Sequence, residues 1–290
     1  MLRLFTDTDC DVTLESAKEM GYELISMPYT LDDVEYFPCF SKNELDHHSF
    51  YERLRQGATP TTSAVNPFQY REYFEPFFKN GDDILYVHFS EKMSGTFNAM
   101  NIAVKELLEE YPERKFYEID TKAISVLSYL LCYEISKLYK EGKTVEEIMA
   151  WANENINKYA MYFYADDLDF FKRSGRVSGF AAFFGGLIGI KPIIYMSEDG
   201  EMKVLEKEKG KRKALMRLIE HVKELGDDVQ SHRIAVATCD AMEEANNLID
   251  LLKENFGDKL DIVIIPISPT IGCHCGPSTV GLAFHAKKRV

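Results

Sequence analysis

Short apolar, β-prone runs alternate along this chain with longer segments of helical period, and that alternation restricts its folding more than any other feature. A chain of this kind buries the apolar stripe of each helix against a mostly parallel sheet, which places it in the α/β class. Leu2 to Thr6 reads as a first strand, Thr13 as the cap of a helix stopped by Gly21, and Tyr22 to Leu31 as a second strand. Helices are expected at about Asn43 to Gln56 and at Pro67 to Lys79, the latter capped by Asn66 with Pro67 in its first turn. Strands Ile84 to Phe89 and Lys115 to Ile119 then alternate with helices Thr96 to Tyr111 and Lys122 to Lys140.

The second half repeats the alternation in a more mixed form. Met161 to Tyr164 leads into an acidic loop, Asp166 to Asp169, and an apolar helix is expected over 178–190. Pro192 to Met196 and Glu201 to Lys207 read as a hairpin turned at Asp199-Gly200. A strand at Arg233 to Ala237, a helix at Glu243 to Phe256 and a strand at Leu260 to Ile267 follow. With 290 residues the chain has room for two domains, placed at 1–158 and 159–290. The first is expected to be a doubly wound, mostly parallel sheet and the second a smaller mixed α/β unit.

Charge and cysteine usage exclude several function classes. Lys plus Arg is 34 against 47 Asp plus Glu, a net charge of −13 that repels a phosphate backbone. Six cysteines without framework spacing read as reduced thiols, so a cytoplasmic location is expected. Met1 to Asp7 turns acidic within seven residues and the uncharged stretch from Gly179 to Ile190 is shorter than a bilayer span, so neither a secretory signal nor a membrane span is expected.

Cofactor and metal signatures are thin. Gly142-Lys143-Thr144 ends like a phosphate loop but lacks the upstream glycine and follows a helix, and no Gly-x-Gly-x-x-Gly occurs. Cys273-His274-Cys275 lacks the Cys-x-x-Cys spacing of a tetrahedral site, so neither a metal nor a cofactor is expected. Ser94 is not in a Gly-x-Ser-x-Gly elbow.

Hydroxyls carry the chemistry that remains. The strand ending at Phe89 runs into Ser94-Gly95-Thr96 and a helix, where free backbone N–H groups attract an anion. The same residues equally suit a plain helix cap. Thr61-Thr62-Ser63 forms a second hydroxyl cluster, in what reads as a loop at the sheet's carboxyl edge, or as a simple turn. His274 falls in an expected loop from Gly272 to Pro277, where its ring could donate to the same anion or be structural. Phe180 and Phe184 lie in the apolar helix, whose small residues either pack a core or leave room for an apolar ligand.

These pieces, in order, resemble the DegV family, whose members include the fatty-acid-binding subunits of bacterial fatty acid kinases. The resemblance runs from Phe5 to Phe284 through Thr6-Asp7-Thr8, Thr62-Ser63, Ser94-Gly95-Thr96, Asp120-Thr121-Lys122-Ala123, Lys172 to Ser178, and His274-x-Gly276-Pro277. It implies two α/β domains with a long-chain fatty acid enclosed between them. Hydroxyls matching Thr62 and Ser94, with His274 nearby, are then expected to hold its carboxylate. Thr61, Ser63, Gly95, Thr96, Phe180 and Phe184 are further candidates around the ligand. A separate kinase subunit would phosphorylate the carboxylate from ATP, leaving this chain a non-catalytic carrier.

Leu127 and Tyr129 replace glycines expected in the family, which would shorten or bend the channel if either faced the ligand. The basic stretch with Lys209 and Arg212, and Arg173 and Arg176 beside the acidic loop, are candidates to face the partner. Two alternatives stand beside the carrier: an acyl or ester hydrolase using Ser94 with His274, and a stand-alone lipid sensor.

Overall fold

The computed structural model describes residues 1–42, 44–178 and 189–290. Its first half contains β1 (Leu2–Asp7), α1 (Leu14–Met20), β2 (Tyr22–Ile25), β3 (Tyr29–Leu31), β4 (Val34–Tyr36), α2 (His47–Arg55) and β5 (Thr61–Thr62). It continues through α3 (Pro67–Lys79), β6 (Asp83–His88), α4 (Thr96–Glu110), β7 (Phe116–Asp120), α5 (Ser125–Lys140) and α6 (Val145–Asn155). The second half contains β8 (Tyr159–Tyr164), α7 (Leu168–Ser174), β9 (Val177–Ser178), β10 (Ile190–Met196), β11 (Met202–Lys209) and α8 (Lys211–Leu225). It closes with β12 (Ile234–Thr238), α9 (Met242–Phe256), β13 (Ile262–Pro266), α10 (Pro269–Cys275) and β14 (Val280–His285).

The strands form three sheets. Four parallel strands run in the order β2-β1-β6-β7, and α1 with α5 and α3 with α4 form the helix pairs that cover them. The second sheet is mixed, in the order β13-β12-β14-β8-β10-β11-β9. Although it belongs to the shorter half, it has more strands than the first. A small antiparallel sheet, β4-β3-β5, stands beside them.

A period of two along the central strands of the mixed sheet explains how the layers stack. Met161, Phe163, Ala235, Ala237 and Ala283 point into the core shared with the first half. Their neighbours Tyr162, Tyr164, Val236, Leu282 and Phe284 point the other way, into a separate core closed by α8 and α9. Helix α5 packs against β8, β12 and β14 and also against α1, so one helix serves both halves. That role explains why residues from Ser125 to Cys132 are buried without a break, including Ser128, whose hydroxyl is bonded to Thr121 at 2.9 Å.

Several expectations need correction. The apolar run from Tyr22 to Leu31 is not one strand but two in different sheets, because Met27 N–H is drawn to Thr8 Oγ1 at 2.9 Å and Ser26 Oγ to Pro38 O at 2.8 Å. Thr61 and Thr62 lie on β5, paired with Thr30 and Tyr29, rather than in a loop. His274 lies on helix α10, not in a loop. The two ends of the helix expected over 178–190 belong to strands, Ser178 to β9 and Ile190 to β10, while Phe180 and Phe184 lie outside the described residues.

Candidate functional site

The strand order reverses direction between β1 and β6, and in a parallel sheet the ligand crevice lies beyond the carboxyl ends of such a pair. Here β1 leaves through Asp7 to Asp11 and β6 through Ser90 to Gly95. Both turns reach one cavity enclosing roughly 890 Å³ of atom-free space, its mouth included. Its wall is largely apolar, with Met27, Phe89, Met93, Met161, Phe163 and Met202 among its residues. The mixed sheet closes the far side through Ala237, Gly281 and Leu282.

Thr62, Ser63, Ser94, Thr96, Asp9 and His274 are among the polar residues that line the cavity. Thr62 Oγ1 and His274 Nε2 are 3.1 Å apart. Burial, and secondarily the positive charge of Arg176, lowers the His274 pKa to about 4, so the ring is neutral at physiological pH. Ser94 Oγ accepts the Thr96 N–H at 3.2 Å and is only partly buried. Thr96 spends its own hydroxyl on structure, bonding Tyr70 Oη at 3.0 Å and Val65 O at 3.3 Å. Gly95 is the exposed N-cap of α4, and Thr61 is exposed. Ser63 is bonded outward to Glu35 at 3.1 Å.

Tertiary contacts set these side chains in place. Tyr51 Oη donates to Ile267 O at 3.1 Å, and a Cβ on Gly272 would lie only 2.8 Å from both Phe50 and Tyr51, so a glycine there lets α10 seat closely on α2. Gly276 ends α10 at φ +66°, with the Phe170 ring packed where a Cβ would stand. The turn carrying Ser94 is pinned at its start. Ser90 Oγ donates to Gly200 O at 2.7 Å, in the β10–β11 hairpin, and Ser90 N–H to Ala123 O at 2.6 Å.

Helix α10 also explains why Cys273, His274 and Cys275 form no common ligand set. Successive residues on a helix point about 100° apart. The two cysteines are buried in the core while His274 turns to Thr62. Nor does His274 pair with Ser94, because its Nε2 faces Thr62.

Sequence reasoning missed the acidic contribution of Asp7, Asp9 and Asp11. Asp7 accepts Tyr86 Oη at 2.9 Å and the Asp9 and Cys10 N–H groups; Asp11 accepts Ser125 Oγ at 2.5 Å and Ser268 N–H at 2.8 Å. Burial pushes both carboxyls up to about 7. Asp9 lines the cavity, its Oδ1 is shut from solvent without a hydrogen-bond partner, and burial followed by repulsion from Asp7 and Asp11 raises its pKa well above the ordinary value. The alternate spacing of the three aspartates was the available signal.

Of the partner-facing candidates, Arg176 lines the cavity and bonds Ser174 O at 2.6 Å, whereas Arg173 is exposed and stacks over Phe170 at 4.5 Å. A more polar recess with Lys92, Asn98 and Asn101 adjoins the cavity and shares Met93, Ser94 and Arg176 with it. Leu127 and Tyr129 are buried and are not among the described residues lining the cavity, so neither shapes that wall. Among the described residues, no helix is long and apolar enough to cross a membrane.

A parallel doubly wound sheet facing a mixed sheet across an apolar cavity defines a class of two-sheet α/β ligand-binding proteins. The chain belongs to the DegV family, whose model, described as "uncharacterised protein, DegV family", matches residues 1–287. A DegV domain-containing protein of Clostridium perfringens is 37% identical over 281 residues, covering 97% of this chain and 96% of that protein. Among solved structures, a fatty-acid-binding DegV family protein of Streptococcus agalactiae is similar with TM-score 0.85 and 25% identity, covering 99% of each chain. A stearic-acid-binding protein of Eubacterium ventriosum aligns with TM-score 0.87 at 22% identity, again over 99% of each chain.

Proposed function

We propose that this chain encloses a long-chain fatty acid and presents its carboxylate to a partner kinase. The observation that carries the reading is the cavity itself, apolar over most of its wall and furnished with neutral hydrogen-bonding groups from Thr62, Ser94 and His274. Burying ~15 methylenes at ~0.8 kcal/mol each supplies roughly 12 kcal/mol of transfer free energy before the costs of ordering and association. Fatty-acid binding by the structurally similar proteins from Streptococcus agalactiae and Eubacterium ventriosum supports the same ligand class.

The carboxylate needs donors where it leaves water. Thr62, Ser94 and His274 provide them without a permanent ion pair, and burial, with repulsion from Asp7 and Asp11, shifts Asp9 toward its protonated form, which lessens its repulsion of a carboxylate. Arg176 and the recess beyond Ser94 lie where the head group meets solvent. In the coupled reaction the kinase transfers the γ-phosphoryl of ATP to a carboxylate oxygen; the P–O bond to ADP breaks, an acyl phosphate forms and ADP leaves. The basic stretch around Lys209 and Arg212, with Arg173 and Arg176, is the docking surface in this reading.

The pairing of His274 with Thr62 favours the carrier over a Ser94–His274 hydrolase. Mass spectrometry of lipid extracted from protein purified without added ligand tests the reading. A stoichiometric monocarboxylic acid of long chain is expected, and protein free of lipid that also fails to take up added fatty acid would overturn it.

A further inference from the structure

Outside the cavity, the first sheet carries a second chemical cluster. One ring nitrogen of His88 and one carboxylate oxygen from each of Glu91 and Glu118 lie within 4.8 Å of one another. His88 is at the end of β6, Glu118 is on β7, and Glu91 is in the turn that leads to Ser94. The imidazole is fully buried. Its Nδ1 faces Phe89 O at 2.7 Å, which fixes Nδ1 as the donor and leaves Nε2 with a lone pair; that Nε2 is shut from solvent and has no hydrogen-bond partner.

Three features distinguish this cluster from an ordinary acidic surface. A histidine whose Nδ1–H is held by a carbonyl is the arrangement that orients imidazole for a metal. Two carboxylates from different elements, Glu91 of the turn and Glu118 of β7, converge on one ring nitrogen of His88. Among the described residues neither Glu91 nor Glu118 forms an ion pair. The other triad of this type, His48, Glu52 and Asp240, is already neutralised by Arg55, which bonds both Glu52 and Asp240.

We propose that His88, Glu91 and Glu118 form a binding site for a divalent transition-metal ion with mixed nitrogen and oxygen ligation. Imidazole with carboxylates suits Zn²⁺ or Mn²⁺ better than Ca²⁺ or Mg²⁺, which favour oxygen alone. Donors about 2.1 Å from a tetrahedral ion stand roughly 3.4 Å apart. The donors now stand within 4.8 Å of one another, and both glutamates that would have to close on the ring are exposed. A bound ion ties Glu91 to β7 and thereby holds the turn that positions Ser94, three residues further on.

Zn²⁺ titration of the chelator-treated full chain, followed by calorimetry, tests the site. One ion per chain is expected, with affinity reduced at least tenfold in Glu118→Gln and unchanged in Glu52→Gln. Glu118 is exposed, so its variant folds even if a change at His88 does not. Absence of saturable binding, or equal binding by Glu118→Gln, would overturn the proposal. Co²⁺ provides a second readout: a spectrum without a sulfur charge-transfer band supports the site, and the presence of that band assigns the ion to cysteines and rejects it.

Discussion

Thr62 and His274 are 212 positions apart in the chain, yet their side chains meet at 3.1 Å across the cavity wall. Strand β5 brings one and helix α10 the other, so the contact depends on the small sheet and the second half arriving together. Burial keeps the ring neutral, with a pKa near 4. A neutral amide should therefore replace it better than a truncation. His274→Gln is expected to keep fatty-acid affinity within about fivefold, and His274→Ala to lose more than tenfold, in a fluorescent fatty-acid displacement assay. Equal losses in the two variants would show that the hydrogen bond is not what His274 supplies.

Ser94→Ala removes a hydroxyl donor from the cavity wall. A hydrogen bond to a charged group contributes about 1.5–3 kcal/mol, so dissociation of fatty acid should accelerate roughly ten- to a hundredfold. Ser63→Ala should change it far less, because Ser63 Oγ is engaged with Glu35. Stopped-flow transfer of lipid to vesicles separates the two.

The buried aspartates make stability depend on pH. Asp7 and Asp11 have pKa values raised by burial from 3.8 to about 7 in the folded chain. Between those limits the folded state binds more protons than the unfolded one. Their stabilising contribution is therefore complete below about pH 4 and is lost as pH rises through 7. Thermal melts should show Tm falling from pH 6 to pH 8. Asp7→Asn should flatten part of that slope while keeping the turn's N-cap, since asparagine caps equally well. A slope identical to wild type would assign the pH dependence elsewhere.

Docking of the proposed kinase partner is expected to use charge that is not already neutralised. Lys203 lies near Asp199 and Glu201, and Lys211 pairs with Glu244, whereas among the described residues Lys209 and Arg212 make no ion pair. Reversing both, Lys209→Glu with Arg212→Glu, should slow acyl-phosphate formation at least fivefold at low salt without altering lipid retention. Coupled kinase assays at two ionic strengths measure this.

Gly281 leaves no room for a side chain. A Cβ there would stand 2.3 Å from Phe163 Cβ and 2.8 Å from Tyr162 O on the neighbouring strand. Gly281→Ala should cost about 1–3 kcal/mol by overpacking and lower Tm by several degrees. Because Gly281 also lines the cavity, long acyl chains should lose more affinity than short ones.

Local chemistry made much of the fold legible. Helix α3 begins and ends where Asn66, Pro67 and Gly81 predict, because its cap and first turn are decided within a few residues. The same logic failed at α10. Gly272, Gly276 and Pro277 read as breakers, although Gly272 serves close approach to α2 and Pro269 was an available helix-start signal. The split after Ile25 depends on Thr8 and Pro38, which no local window contains. Ser94, Thr62 and His274 could be named from an ordered set of motifs. Asp9 could not, because its significance lies in facing a cavity whose other wall comes from Met161, Phe163 and Gly281.

Helix α5 has a mechanical consequence. It supports the parallel sheet on one side and packs on β8, β12 and β14 on the other, so the two halves cannot swing apart as independent rigid jaws without breaking its buried contacts. If the proposed fatty acid is bound, its exchange is then expected to proceed by local yielding at the rim, and a passenger once loaded should survive extensive washing until something prises that rim open.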